Sequence, residues 1–388
     1  MRTLPLPSPS AQARSTRLEA EILRRIDAAG GWISFADYMD AALYAPGLGY
    51  YAADMQKFGA HGDFITAPEL TPLFATALAR QAAEIMQMSA PAILEFGAGS
   101  GRLAVDLLLA LEACAVLPER YAILEVSADL RRRQEALLQQ HAPHLAARVA
   151  WLVRPPETFS GLVLANEVLD AMPVHCVVWR EDGIREKGVA AESGRFLWRE
   201  RLARGRLMAV ARKLVPNLPH ALPPDFTSEI SLVAPAWVAA WGKRLARGAL
   251  LLLDYGFPRR EFYHPQRATG TLMCHYRHHA HPDPFYLPGL QDITAHVDFT
   301  ALAEAAFDAG LDVLGYTDQA RFLVNCGILE ALATARALGA RPCVEASAAV
   351  QTLILPQEMG ELFKVIAFGK GIASPLGGFR QGDRTHAL

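Results

Sequence analysis

Residues 92–101 read Ala-Ile-Leu-Glu-Phe-Gly-Ala-Gly-Ser-Gly, an apolar run that ends near an acid and breaks into three alternating glycines. The pattern predicts a buried strand, a tight turn at Gly97, Gly99 and Gly101, and a helix from Arg102 carrying Leu103, Leu107 and Leu111. Glycines leave the backbone N–H groups of such a turn open to a ligand, because no side chain shields them. The dinucleotide fingerprint G-x-G-x-x-G asks for its third glycine at position 102, where this chain has Arg.

Three later runs repeat the theme. Tyr121-Ala-Ile-Leu-Glu125 fits the second strand of a doubly wound sheet, where a carboxylate can accept both hydroxyls of a ribose. That carboxylate suits any adenosine-bearing cofactor, NAD included. Gly161-Leu-Val-Leu-Ala-Asn166-Glu167 and Ala249-Leu-Leu-Leu-Leu-Asp254 also end in polar residues, at the strand ends where open α/β sheets bind ligands. A nicotinamide enzyme has no general need for Asn-Glu there. The pattern Glu95-x-Gly97-x-Gly99-x-Gly101 resembles the first motif of S-adenosylmethionine (SAM) methyltransferases. Blander roles stay open: Glu125 as a cap for a helix starting near Ser127, and Asn166 and Glu167 as turn residues.

The charge balance excludes some classes. Net charge is −2 with no basic stretch, which argues against nucleic acid, and no apolar stretch reaches membrane-span length. The five cysteines are scattered without a C-x-x-C pair, as expected in a reducing compartment. The first seventeen residues hold three Arg and no acid, faintly like a transit peptide but without an amphipathic repeat. A cytoplasmic protein is expected, with the mitochondrial matrix as the alternative. His275, His278, His279 and His281 match no zinc spacing, so no metal site is expected. Nothing in the chain specifies an oligomeric state.

Punctuation sets the expected organisation. Residues 1–15 read as a disordered tail, and 16–90 as an N-terminal helical and loop extension. Residues 91–179 read as the cofactor-binding core, 180–248 as an insertion and 249–257 as a core strand. Residues 258–298 read as an active-site loop, 299–370 as the C-terminal part of the core and 371–388 as a tail. The insertion region brings Trp179, Trp198, Trp237, Trp241 and several Arg, types enriched at protein interfaces. Packing against the main domain is the alternative for these tryptophans.

Six ordered motifs are together far more specific than any one. They are Gly62-Asp-Phe-Ile-Thr-Ala-Pro-Glu69, Glu95-Phe-Gly-Ala-Gly-Ser-Gly101, Ala165-Asn-Glu-Val-Leu-Asp-Ala-Met-Pro-Val-His175, Leu253-Asp-Tyr-Gly256, Gly270-Thr-Leu-Met-Cys-His-Tyr-Arg277 and Asp292-Ile-Thr-Ala-His-Val-Asp-Phe299. Through them the chain resembles the MidA-like methyltransferases over roughly residues 15–370. The resemblance implies a class I methyltransferase fold: an α/β, Rossmann-like, seven-stranded sheet with helices on both faces and an antiparallel last strand. It implies SAM as cofactor, with Glu95, Gly97, Gly99, Gly101, Glu125 and Asn166 on the cofactor. It also implies a protein substrate, a core subunit of respiratory complex I, symmetrically dimethylated on arginine.

Arginine chemistry points to acids. The guanidinium is protonated at neutral pH and offers a planar fork of donors. One nitrogen must regain lone-pair character to attack a methyl group, which a bidentate carboxylate promotes by holding the charge on the other two. Glu167 and Asp170 follow the fourth strand, Asp63 and Glu69 lie in the N-terminal motif, and Asp292, His296 and Asp298 lie late in the chain. Glu167 is the expected clamp, Asp63 a second carboxylate and Asp170 a third candidate. The segments 57–69 and 270–298 are expected to wall one pocket. Competing readings are a SAM enzyme for a small molecule and a SAM-binding assembly factor without turnover.

Overall fold

The computed structural model describes residues 4–52, 66–337, 340–373 and 375–388. The chain divides into two compact units, one of residues 1–64, 170–236 and 257–298, the other of 65–169, 237–256 and 299–388.

The second unit is built on a large sheet. Its strands are β1 (Ala92–Phe96), β2 (Arg120–Leu124), β3 (Val149–Leu152), β4 (Phe159–Asn166), β5 (Leu245–Phe257), β6 (Asp312–Asp318) and β7 (Phe363–Lys370). They lie in the order β6-β7-β5-β4-β1-β2-β3. β1 runs parallel to β2 and β4, β2 to β3, and β4 to β5, while β7 is antiparallel to both β5 and β6. This is the expected fold, with the last strand of the sheet antiparallel. Parallel pairing requires crossovers, and it leaves central strands buried on both faces. That explains why β1, β4 and β5 are almost wholly apolar, with Leu94, Val163 and Leu251 fully buried.

Helices Pro72–Met88 and Arg102–Ala113 bury Phe74, Leu78, Ile85, Leu107 and Leu111 with Ile93 and Leu162 of the sheet. Trp237 and Trp241 stand edge-on to Phe96, at 5.0 and 5.8 Å between ring centres. β6 and β7 are separated by helices Gln319–Asn325, Ile328–Ala337 and Ala340–Ile354. The segment beyond β7 is no loose tail, because Leu376 and Phe379 are buried and Phe379 packs on Phe322.

The first unit gathers three separate stretches of sequence. Its helix Pro9–Ala28 begins earlier than expected, because Ser8 caps it, accepting from Ala11 N–H at 3.3 Å, and Pro9 sits at its first position. Residues 9–15 are therefore helical, and the buried Ser15 donates to the Pro288 carbonyl at 2.9 Å. A four-stranded antiparallel sheet follows the order Arg195–Leu202, Gly183–Glu192, His175–Arg180, Phe226–Ile230. A smaller sheet orders His279–His281, Met273–Tyr276 and Asp292–Thr294. Tyr38 packs against Phe196 and Phe285, and Trp198 against Phe35 and Phe285, so one aromatic core joins the extension, the insertion and the late segment. The tryptophans of the insertion region thus serve packing, Trp179 and Trp241 being buried as well.

Candidate functional site

The glycine turn sits at the carboxyl end of β1. Gly97, Gly99 and Gly101 take φ of 63, 53 and 86°, the left-handed region in which only glycine is unstrained. The Gly101 N–H donates to the Ala98 carbonyl at 2.7 Å and closes the turn, and Gly101 is the N-cap of helix Arg102–Ala113. A Cβ at Gly97 would stand 2.8 Å from Val168 Cγ2, so the turn also touches the loop after β4. Ser100 Oγ donates to Glu69 Oε1, which brings the acid of the N-terminal motif to the turn.

Two acids flank the turn. Glu95 is buried and accepts a hydrogen bond from Tyr121 Oη at 2.8 Å. Burial pushes its carboxyl up to about 7, opposed by the Tyr121 hydrogen bond and reinforced by nearby Glu125. Glu125, at the end of β2, accepts the Ser127 N–H on Oε1 at 2.8 Å and the Gln134 amide on Oε2 at 3.1 Å. The helix cap itself is Ser127, which accepts from Leu130 N–H at 3.3 Å.

The loop after β4 is braced from β5. Asp254, fully buried, accepts the N–H groups of Val168 and Leu169 on Oδ2 at 3.2 and 2.8 Å, and that of Tyr255 on Oδ1 at 2.9 Å. Glu167 holds φ at 53°, unusual for a non-glycine residue, with its N–H on the Leu253 carbonyl at 2.9 Å. Its Oε1 accepts Asn166 Nδ2 at 3.0 Å and the Ala67 N–H at 3.3 Å. Asn166 must point Nδ2 at this acceptor-only carboxylate, and its Oδ1 is left buried without a hydrogen-bond partner. A buried acceptor without a donor carries a free-energy cost that a bound group with an N–H or O–H removes.

The other acids lie in the first unit. Asp170 and Asp292 are buried, and Tyr51 Oη donates to Asp292 Oδ1 at 3.0 Å. Tyr44 and Tyr51 stack at 5.6 Å, and Tyr44 Oη donates to the Ala171 carbonyl at 2.9 Å. Burial raises both phenols, with the charges of Asp292 and Asp170 adding to the effect. Asp298 pairs with Arg259 at 3.5 Å, and the His296 ring tilts against Phe257 at 5.2 Å. Asp63 and residues 57–65 of the expected pocket wall lie outside the described residues. Among the described residues no group of His, Cys, Asp or Glu could hold a metal ion, and no helix is long and apolar enough to cross a membrane.

The brace Asp254, the amide Gln134 and the phenol Tyr121 are absent from the expected site residues. Asp254 had a visible signal, an acid closing an apolar run. Gln134 had none, being one of three glutamines on a polar-looking helix.

Comparison with known proteins places this geometry. Residues 77–317 match a family profile described as "putative S-adenosyl-L-methionine-dependent methyltransferase". The zebrafish protein arginine methyltransferase NDUFAF7, mitochondrial, is 30% identical over 90% of this chain and 87% of its own length. The Drosophila melanogaster homologue of that protein is 28% identical over 95% of this chain and 89% of its own. A crystal structure from Burkholderia thailandensis bound to S-adenosyl-homocysteine superposes with TM-score 0.95 at 50% identity, covering all of both chains.

Proposed function

Since the chain belongs to this family of SAM-dependent methyltransferases, we propose that it methylates an arginine side chain of a protein. SAM is its cofactor, as the bound S-adenosyl-homocysteine of the half-identical bacterial structure supports, and it supplies an electrophilic methyl group on a positively charged sulfur. The unpartnered Asn166 Oδ1 fits such a ligand, whose amine and hydroxyl hydrogens it would accept. In this reading the turn Gly97, Gly99 and Gly101 offers backbone to the cofactor, Glu95 lines its site from the end of β1, and Glu125 accepts the ribose hydroxyls.

One observation carries the assignment of chemistry: Glu167 is held in the left-handed region at φ 53° at the carboxyl end of β4. Such a backbone costs on the order of 1–3 kcal/mol, and strain of this kind collects at functional sites. The Leu253 carbonyl and the two Asp254 hydrogen bonds to Val168 and Leu169 maintain it. Glu167 would take two guanidinium N–H groups, draw positive charge onto those nitrogens and leave the third with lone-pair character. Asp63 is the second carboxylate for the proton released, and Asp170 the third candidate. A flat small-molecule acceptor would instead call for an apolar slot with few charges.

The relatives' names put arginine methylation in mitochondria, and a complex I core subunit or its bacterial counterpart is the proposed partner, in the cytoplasm or the mitochondrial matrix. Methyl-labelled SAM added to the pure protein with lysate from a strain lacking it tests the reading. Label released as dimethylarginine from one protein supports it. Label in metabolites alone would establish a small-molecule acceptor, and no transfer at all a binding protein without turnover.

A further inference from the structure

We propose that Gln134 is a positioning residue that sets the ribose end of the cofactor site, by tying the glycine turn to Glu125 in one geometry. The proposal rests on the reading of Glu125 as the ribose acceptor. Gln134 lies on helix Ala128–His141 and is 1% exposed. Its Nε2 donates to the Gly99 carbonyl at 3.0 Å and to Glu125 Oε2 at 3.1 Å. Its Oε1 accepts the Trp151 indole N–H at 2.8 Å. The three partners leave the amide no freedom. A carbonyl only accepts, an ionised carboxylate only accepts and an indole only donates, so a flipped amide would lose all three bonds.

No other residue type satisfies the arrangement at this size. Glu would set a second carboxylate against Glu125, and Leu or Met would strand the Trp151 donor and the Gly99 acceptor in a buried place. The helix is also packed tightly onto the turn, since a Cβ at Gly101 would stand 3.0 Å from Gln134 Cγ and 3.1 Å from its Cα. With Ser127 N–H on Oε1 and Gln134 on Oε2, the Glu125 carboxylate is held at both oxygens. A carboxylate fixed this way keeps one orientation in the site, which is what discrimination between ribose and deoxyribose requires. Gln134 touches no cofactor atom in this account and acts through Glu125 and Gly99.

The test measures calorimetric affinity of the full chain for S-adenosylhomocysteine and its 2′-deoxy analogue. The native protein should prefer the ribose form by about tenfold or more, because a buried acceptor loses its donor in the analogue. Gln134→Met should weaken S-adenosylhomocysteine about tenfold and bring the preference close to one. A merely structural role would lower the melting temperature and leave the preference of the folded fraction intact, and that result overturns the proposal. Should Gln134→Met fail to fold, Trp151→Phe decides. It removes the bond that orients the amide at a half-buried position, and an unchanged affinity and preference would again overturn the proposal. Glu125→Ala separates the two layers. If it keeps the preference, the ribose reading itself fails. If it abolishes the preference while Gln134→Met retains it, only the role of Gln134 fails.

Discussion

Tyr121 Oη donates to Glu95 Oε2 at 2.8 Å, joining the second strand to the first with both side chains buried. Burial makes the carboxyl harder to ionise in the folded protein than in the unfolded chain, with Glu125 adding to the effect and the Tyr121 hydrogen bond opposing it, so its value rises from 4.5 to about 7. Neutral Glu95 favours folding, so its contribution is complete below pH 4.5 and is lost as pH rises through 7. The loss amounts to about 2–4 kcal/mol. Glu95→Gln cannot ionise, and its melting temperature relative to the native protein should climb between pH 5 and pH 8. A difference that stays flat across that range would show that the carboxyl is not strained by burial.

Glu125→Ala should weaken S-adenosylhomocysteine binding by about 1–3 kcal/mol, since ribose hydroxyls buried by the protein lose their acceptor. NAD should bind the native protein far more weakly, position 102 being Arg rather than the third glycine of the dinucleotide fingerprint. Calorimetry with both ligands checks this, and NAD binding as tight as S-adenosylhomocysteine would sink it.

The glycines of the turn should fail in different ways. Gly101→Val forces a branched side chain to φ 86° and into Gln134, and should destabilise the protein by about 2–4 kcal/mol. Gly99→Val, at φ 53°, should abolish S-adenosylhomocysteine binding while the sheet stays folded. Thermal melts with and without ligand distinguish the two, and a Gly99→Val protein that still binds would refute the path assigned to the cofactor.

Glu167→Gln keeps the size and removes the charge. Cofactor affinity should stay nearly intact while methyl transfer falls by about two to four orders of magnitude, because the clamp matters mainly in the transition state. Transfer at the native rate would rule out Glu167 as the clamp.

Asp254→Ala leaves the buried N–H groups of Val168 and Leu169 without their acceptor and should cost about 2–5 kcal/mol of stability. It should also lower kcat more than it raises KM for SAM, as Glu167 loses its support. A variant with native kcat after correction for its folded fraction would separate Asp254 from the chemistry.

Strands β1, β2, β4 and β5, the glycine turn and the acids at strand ends were legible from residue order, because each is a local consequence of hydrophobic runs and of backbone conformations only glycine adopts freely. Hence β1 at Ala92–Phe96, the turn at Gly97, Gly99 and Gly101, and Asn166 with Glu167 closing β4 lie where the pattern predicts them. Tertiary structure alone decided which distant groups meet. Ser8 and Pro9 started the first helix before the expected boundary, and Phe35, Trp198 and Phe285 fused three sequence-separated segments into one unit. Gln134 looked like any polar residue of an exposed helix, and its buried place between the glycine turn and the Trp151 indole of β3 shows only in the assembled fold. Asp254 signalled a strand end, but its service to Val168 and Leu169 depends on β5 pairing beside β4. Periodicity records which face of an element is buried. The partner of a buried amide or carboxylate is set by contacts dozens of residues away, which no local pattern encodes.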